Sequence, residues 1–232
     1  MRAFVLCAAA VLALVPVASA GDLGAQLYGA SCITCHGPEG RGIANRGPSL
    51  RGVGARAADF YLRTGYMPLA DPHRQPRRSA VLFSEPELHA LVAYVASLAP
   101  GPAIPAPDPK SGNLAAGQQL FTEDCAGCHQ VAAEGGYVTG AVAPPLEDAT
   151  SVQIAEAVRI GPYLMPRFSK KQISDGQLSS IVRYVQYAKH PDDRGGWAIG
   201  HVGPVPEGLV TWFIGIAAVV AAAMVIGKRL HS

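Results

Sequence analysis

Two stretches of the chain carry apolar residues at helical spacing, and they align with each other without gaps. The stretches are FSEPELHALVAYV, which begins at Phe83, and ISDGQLSSIVRYV, which begins at Ile173. Apolar residues three and four positions apart predict an amphipathic helix that packs one face into a hydrophobic core. The matching apolar positions are Leu88, Leu91, Val92 and Val95 in the first stretch and Leu178, Ile181, Val182 and Val185 in the second.

Both stretches also begin with a helix start signal. Ser84 is followed three residues later by Glu87, and Ser174 is followed at the same distance by Gln177. In such a capping box, each side chain hydrogen-bonds the backbone amide of the other residue at the N-terminus of a helix. We therefore expect helices that begin directly after Ser84 and Ser174.

A continuous apolar run lies near the C-terminus. The run LVTWFIGIAAVVAAAMVIG occupies residues 209–227, contains no charged residue and is followed by Lys228 and Arg229. About twenty apolar residues in a helix cross the hydrocarbon core of a bilayer. The run therefore predicts a single transmembrane helix. By the positive-inside rule, the tail at 228–232 is cytoplasmic and the domains before the helix lie on the other side of the cell membrane.

The N-terminus carries a shorter apolar segment. Arg2 gives it a basic start, residues 3–17 are apolar, and Ala18-Ser19-Ala20 fits the small-residue pattern of a cleavage site. This arrangement is typical of a secretory signal peptide, which we predict at residues 1–20. An uncleaved N-terminal anchor is the alternative.

The composition of the chain is typical of a membrane protein and argues against nucleic acid as a partner. Hydrophobic residues make up 49% of the chain and charged residues only 16%, which is typical of a protein with some sequence in a membrane. The formal net charge of the 232 residues is +2, and the chain has no lysine- and arginine-rich run. Nucleic acid is therefore not an expected partner.

Between its two ends the chain contains two copies of one module. Gly24 precedes Cys32 by eight positions, and Gly117 precedes Cys125 by eight. Each copy continues with Cys-x-x-Cys-His, a proline that precedes a leucine, a Met-Pro pair and the predicted amphipathic helix. The matched residues are Cys32, Cys35, His36, Pro48 and Met67 in the first copy and Cys125, Cys128, His129, Pro144 and Met165 in the second.

The repeat predicts the domain organisation. A proline-rich linker at 100–109 separates a first domain at 21–99 from a second domain at 110–190. A second linker, at 191–208, leads to the transmembrane helix at 209–227.

Four kinds of site could explain the Cys-x-x-Cys-His motifs. A zinc site normally has its second ligand pair within about twenty residues, whereas these pairs are far apart and each has its own histidine. A redox dithiol needs strands on either side of the motif, and no strand-like alternation is evident. A disulfide leaves the histidine unexplained. Covalent haem explains all three residues, because two thiols form thioethers and the adjacent histidine reaches the iron. We predict two covalently bound haem c groups.

Methionine indicates the second ligand of each iron. Met67 and Met165 occupy equivalent places in the two modules, downstream of His36 and His129. Coordination by histidine and methionine favours ferrous iron and raises the reduction potential. Core packing is the alternative for either methionine taken alone, and His73 is an alternative ligand in the first module.

The modules resemble class I cytochromes c over nearly all of residues 21–190. The resemblance lies in the order of glycine, aromatic residue, Cys-x-x-Cys-His, proline, methionine and final helix. It implies an all-α fold of tandem cytochrome c domains ahead of the single transmembrane helix. It also implies that the backbone carbonyls of Pro48 and Pro144 accept the Nδ1 protons of His36 and His129, the contact that orients a ligating imidazole.

The whole layout resembles the dihaem cytochrome c subunit of the quinol:cytochrome c reductase, or cytochrome bc1 complex, of high-GC Gram-positive bacteria. This resemblance implies three partners: a cytochrome b subunit, a Rieske iron–sulfur subunit and an aa3-type cytochrome c oxidase. The first haem would take electrons from the Rieske protein and the second would pass them to the CuA centre of the oxidase. The chain would be an electron-transfer subunit of this translocase, with no catalytic site of its own.

Two other functions are compatible with haem-bearing modules. A dihaem peroxidase needs one iron with an open position, and two Met-Pro pairs argue against that. A membrane-tethered electron shuttle for a cbb3-type oxidase or a dehydrogenase would carry similar modules, since fold alone does not decide function. The cbb3-type dihaem subunit has its membrane helices before the haems, whereas this chain has its clear one at the end.

Overall fold

The computed structural model describes residues 20–69, 71, 74–189, 191 and 204–230. Nearly all of the predicted signal peptide or anchor, His73 and most of the second linker therefore lie outside the described residues. The chain divides into two compact units, with the boundary between Ala103 and Ile104.

The described residues of the first unit form four α-helices and one 3-10 turn, at Pro38–Gly40. The helices are α1 (Ala20–Ser31), α2 (Ile33–His36), α3 (Gly54–Arg63) and α4 (Glu85–Ser97). α4 packs against α1 and α3 around a single core, and the apolar face predicted for α4 is buried in it. The fully or nearly buried core residues are Tyr28, Ala58, Leu62, Leu88, Leu91, Val92 and Val95.

Residues 104–189 of the second unit, all of them described, repeat this arrangement with four helices and a small sheet, and one further helix follows later in the unit. The helices are α5 (Leu114–Asp124), α6 (Ala126–His129), α7 (Ser151–Ile160) and α8 (Asp175–Lys189). α8 packs against α5 and α7, and its predicted apolar positions, Leu178, Ile181, Val182 and Val185, are at most 2% exposed. The predictions of amphipathic helices and of a mainly helical fold are confirmed.

The sheet is a difference from the all-α prediction. Strands β1 (Gly136–Val138) and β2 (Ala141–Ala143) pair antiparallel, with Tyr137 opposite Val142. Gly140, in the two-residue connection, has a φ of +81°, which glycine adopts without the steric cost that other residues meet. Strands of three residues are too short to produce an alternating pattern in the sequence, so the hairpin was not predicted.

Both predicted capping boxes are present. The Ser84 backbone amide and hydroxyl both donate to Oε2 of Glu87, at 2.8 and 2.7 Å. The Ser174 amide donates to Oε1 of Gln177 at 2.8 Å, and the Gln177 amide donates to Oγ of Ser174 at 3.3 Å. These contacts satisfy amides that have no partner inside the helix, so they define where α4 and α8 begin.

The first and last helices of each module touch at a glycine. A Cβ on Gly24 would lie 2.2 Å from the carbonyl oxygen of Ala90, and a Cβ on Gly117 would lie 2.0 Å from that of Ser180. Aromatic pairs flank both crossings, with ring centroids 5.0 Å apart for Tyr28 and Tyr94 and 5.3 Å apart for Phe121 and Tyr184. Only glycine allows the two backbones to approach this closely.

The last helix, α9 (Pro204–Leu230), is long and apolar. Its segment Gly208–Arg229 has a mean hydropathy of 2.5, and no part of this apolar window is buried against the rest of the described protein. These 22 residues extend about 33 Å, enough to cross the roughly 30 Å hydrocarbon core of a bilayer.

We predict that Gly24→Ala destabilises the first module, whereas Gly29→Ala in the same helix does not. The added methyl group at Gly24 must displace the backbone of α4, which costs about 1–3 kcal/mol. A Cβ at Gly29 meets no described atom within 4 Å outside its own helix. Alanine there should raise the free energy of unfolding by about 0.5–1 kcal/mol, because it favours helix over glycine.

Denaturant unfolding of the two variants, followed by circular dichroism, measures both effects. Equal midpoints for Gly24→Ala and Gly29→Ala would contradict the close contact between α1 and α4.

Candidate haem sites

A single helical turn brings the first Cys-x-x-Cys-His motif together. The amide of His36 donates to the carbonyl oxygen of Cys32 at 2.9 Å, so the two cysteines and the histidine lie on one turn. His36 is buried, and its Nδ1 lies 2.8 Å from the carbonyl oxygen of Pro48. The Tyr28 hydroxyl donates to the carbonyl oxygen of Gly37 at 2.6 Å and ties the end of this turn to α1.

The second motif has the same geometry. The His129 amide donates to the Cys125 carbonyl oxygen at 2.9 Å, and His129 Nδ1 lies 3.1 Å from the carbonyl oxygen of Pro144. Since a carbonyl oxygen only accepts, Nδ1 carries the proton in both histidines. Burial lowers the pKa of His129, although the contact with Pro144 opposes this effect. A neutral ring with its proton on Nδ1 leaves Nε2 as a free electron-pair donor, the form that binds a metal.

The four cysteines of the two motifs are free thiols in the described structure. Cys32 is half-buried, Cys125 is buried, and Cys35 and Cys128 are exposed. Burial raises the pKa of the Cys32 thiol and raises that of Cys125 to about 12. Each motif thus presents one inner and one outer thiol, neither used in a disulfide.

The geometry also bears on the zinc alternative. Among the described residues, no three His, Cys, Asp or Glu side chains converge as a metal-binding group. A zinc site needs three or four such ligands. Within the part of the chain that the structure describes, neither motif therefore has the ligand set of a zinc site.

Each predicted methionine packs on the same core as the first cysteine of its module. Met67 and Cys32 pack against the core of the first unit, and Met165 packs against the core of the second, to which Cys125 belongs. Both methionines are half-buried. Backbone contacts hold them in place: the Met67 amide donates to the Tyr61 carbonyl oxygen, and the Met165 amide donates to that of Pro162, each at 3.0 Å.

The residues present in each module fit a covalently attached haem. The cysteine thiols are available to form thioethers with the haem. The proline carbonyl contacts Nδ1 of each histidine, which leaves Nε2 to bind the iron. The methionine of each module packs on the same core. The alternative ligand His73 lies outside the described residues.

Two arginines beside these sites were not identified from the sequence. Arg63, at the end of α3, and Arg159, near the end of α7, each form an ion pair with the first residue of the following long helix, Glu85 or Asp175. A signal was available, since both arginines stand two residues before a glycine in corresponding places of the repeat.

Comparison with known families agrees with the division into two modules. Residues 21–99 match the family described as cytochrome c, and residues 112–185 match the family described as cytochrome C oxidase, cbb3-type, subunit III. Together with the paired sites, these matches define a c-type cytochrome with two cytochrome c domains. Such domains bind haem c covalently and carry electrons.

Relatives that align over most of the chain identify the family more closely. The chain is 38% identical over 224 residues to a protein of Corynebacterium diphtheriae, covering 89% of this chain and 80% of that protein. It is 37% identical over 215 residues to a protein of Mycobacterium tuberculosis, covering 89% and 77%. Both relatives are named cytochrome bc1 complex cytochrome c subunit. The chain belongs to this family, and the resemblance inferred from its sequence is confirmed.

Proposed function

We propose that this chain holds two haem c groups and is the electron-transfer subunit of a quinol-oxidising cytochrome bc1 complex. In this role it accepts electrons from the Rieske iron–sulfur subunit, beside a cytochrome b subunit, and passes them to the CuA centre of an aa3-type oxidase. The observation that carries the proposal is the duplication of one complete site. Each copy contains free thiols, a buried histidine with an oriented ring and a methionine on the same core.

In this proposal each side chain has one task. Cys32 and Cys35 attach the first haem, and Cys125 and Cys128 attach the second. When bound, haem supplies one-electron transfer at its iron. The protein supplies ligands that stay in place during that transfer, so that little reorganisation accompanies it.

The axial ligands are His36 and Met67 in the first module and His129 and Met165 in the second. The carbonyls of Pro48 and Pro144 hold Nδ1 of the two histidines, which directs Nε2 to the iron and increases its basicity. Methionine on the other coordination position raises the reduction potential, as suits a carrier that receives electrons from an iron–sulfur protein.

Helix α9 serves as the membrane anchor. Lys228 and Arg229 follow its apolar segment, so the tail is cytoplasmic and the haem modules lie outside the cell membrane. A tether keeps the modules near a quinol-oxidising complex and an oxidase in the same membrane, which raises their effective concentration for each other. A freely diffusing carrier is then unnecessary.

A membrane-tethered shuttle for another oxidase or a dehydrogenase is the second candidate. The match of residues 112–185 to a cbb3-type oxidase subunit favours it, because that description belongs to a different oxidase. The relatives named as bc1 complex subunits align over 89% of this chain and support the first candidate. A dihaem peroxidase would need one iron without a methionine ligand. Both modules contain a Met-Pro pair, so neither favours a peroxidase.

Haem stoichiometry tests the duplicated site. Two complete Cys-x-x-Cys-His motifs should hold about two covalent haems per chain, and both should remain after acid–acetone extraction of the denatured protein. The pyridine haemochrome spectrum with protein quantitation gives the ratio. A ratio of one would show that one motif is not used, and Cys32→Ala with Cys35→Ala would identify which module carries the haem.

Carbon monoxide tests the methionine ligands. If Met67 and Met165 both bind iron, the reduced protein should hardly react with the gas, because neither iron has an open position. Met67→Ala and Met165→Ala should each raise binding to about one equivalent per chain, and the double variant to about two. Stoichiometric binding by the unaltered protein would mean that one iron lacks methionine, which would favour the peroxidase.

Truncation tests the tether. Ending the chain after Pro206 should release a soluble protein with two haems, because the proposed ligands all precede this position. Quinol-driven oxygen consumption in cells should fall sharply at matched haem content. Unchanged respiration would show that the protein acts as a diffusing shuttle rather than as a subunit held between two complexes.

A further inference from the structure

We propose that Arg63 and Arg159 are positioning residues that keep the methionine-bearing loop of each module closed. The first methionine loop is residues 64–84, between α3 and α4, and the second is residues 161–174, between α7 and α8. The inference rests on the proposed function, because it concerns how firmly Met67 and Met165 are held for the iron.

In the first module one guanidinium joins both ends of the loop. Arg63 Nη1 donates to Oε1 and Oε2 of Glu85, the first residue of α4, each at 2.8 Å. Its Nε donates to Oδ1 of Asp59, one turn earlier in α3, at 2.7 Å. The Asp59 side chain is only 9% exposed. Loss of the guanidinium would leave a buried carboxylate without this partner, which is far more costly than the loss of a surface ion pair.

In the second module the guanidinium binds the loop itself as well as its far end. Arg159 Nη2 donates to Oδ1 of Asp175, the first residue of α8, at 2.9 Å. Its Nη1 donates to the carbonyl oxygen of Phe168, three residues after Met165, at 3.3 Å. The Arg159 side chain is 4% exposed. Hydrogen bonds from Lys170 and Arg159 lower the pKa of Asp175, so its carboxylate stays charged at neutral pH.

A tight backbone contact lies next to each ion pair. Gly65 and Gly161 follow the two arginines by two residues and have φ values of +65° and +67°. A Cβ on Gly65 would lie 2.1 Å from the Ser79 carbonyl oxygen, and one on Gly161 would lie 2.7 Å from the Arg167 amide nitrogen. The glycine at the start of each loop therefore lies against backbone further along the same loop, two residues from the arginine that forms the ion pair.

The two loops differ in length, because only the first carries a long insertion. The first loop contains the insertion DPHRQPRRSA, from Asp71, which has no counterpart in the second. An arginine joined to the first residue of the next long helix is nevertheless present in both. Its recurrence at equivalent places points to a task that both modules share. Holding the methionine of the loop in place for the iron is such a task.

The physical effect is on an equilibrium between bound and released methionine. A loop with a closed base has fewer conformations available when the methionine leaves, so release gains less entropy. Breaking the base increases that gain and shifts the population towards release. Arg159→Gln should enlarge the released fraction about tenfold, since the arginine is buried, and Glu85→Gln about threefold, since that carboxylate is exposed.

The test uses the full-length holoprotein in detergent, with one module altered at a time. Ferric haem bound by methionine has a weak far-red charge-transfer absorption, ferrous haem without it binds carbon monoxide, and loss of methionine lowers the potential. Methionine is released from ferric haem as the pH is raised, and the far-red absorption is then lost. In Arg63→Gln and in Arg159→Gln, about half of this absorption, that of the altered module, should be lost at a lower pH than in the unaltered protein. The haem of the altered module should also gain carbon monoxide binding and have a lower potential.

Conservative and control variants separate positioning from stability. Arg63→Lys and Arg159→Lys retain a charge for Glu85 or Asp175 and should restore part of the far-red signal. Arg41→Gln removes an ion pair with Glu39 whose two side chains are 68% and 62% exposed and which lies outside both loops. It should leave absorption, gas binding and potentials unchanged.

The proposal is overturned if the glutamine variants lower only the denaturant midpoint while absorption, gas binding and potentials stay as in the unaltered protein. If Arg63→Gln or Arg159→Gln yields no holoprotein, Glu85→Gln and Asp175→Asn, which remove only exposed carboxylates, decide the question by the same readouts. Met67→Ala and Met165→Ala define the complete loss of methionine binding in each module. If they leave the far-red absorption intact, the ligands assigned in the proposed function are wrong, and this outcome is distinct from a failure of the arginine proposal.

Discussion

Both modules depend on the contact between their first and last helices at a glycine. At Gly24 and Gly117 the backbone of one helix lies against that of the other, with the aromatic rings of Tyr28 and Phe121 one turn further along. Because Cys32 and Cys125 each follow eight residues after that glycine, the crossing sets where each Cys-x-x-Cys-His turn begins. The histidine ring then meets the proline carbonyl, and the last helix defines where the methionine loop must end.

The two modules reach the same site with different surroundings. The first has a long insertion between its methionine and its last helix, whereas the second has a short hairpin between its histidine and its proline. These differences lie in connections, while the helices that form each core and the contacts to the histidine are kept. Connections tolerate such variation because they contribute little to the core, whereas a change in a core helix alters packing throughout a small domain.

Much of this architecture could be predicted from the sequence because its signals are local. Helical periodicity identified the faces of α4 and α8, serine followed by glutamate or glutamine identified their first residues, and an uninterrupted apolar run identified α9. The repeat itself supplied the site, because two motifs in the same register make a chance match improbable. The hairpin gave no such signal, since three-residue strands are held by a turn and a few backbone hydrogen bonds rather than by a periodic apolar face.

What the sequence by itself determined, then, is the number of modules, the last helix of each module, the membrane segment and the residues proposed as ligands. The tertiary structure decided which of those residues share a core and which thiol is buried. It also decided the partners of Arg63 and Arg159. Glu85 lies 22 residues from Arg63, and Asp175 lies 16 residues from Arg159, on separate helices. No local pattern encodes such a pair, because it exists only after the helices have packed.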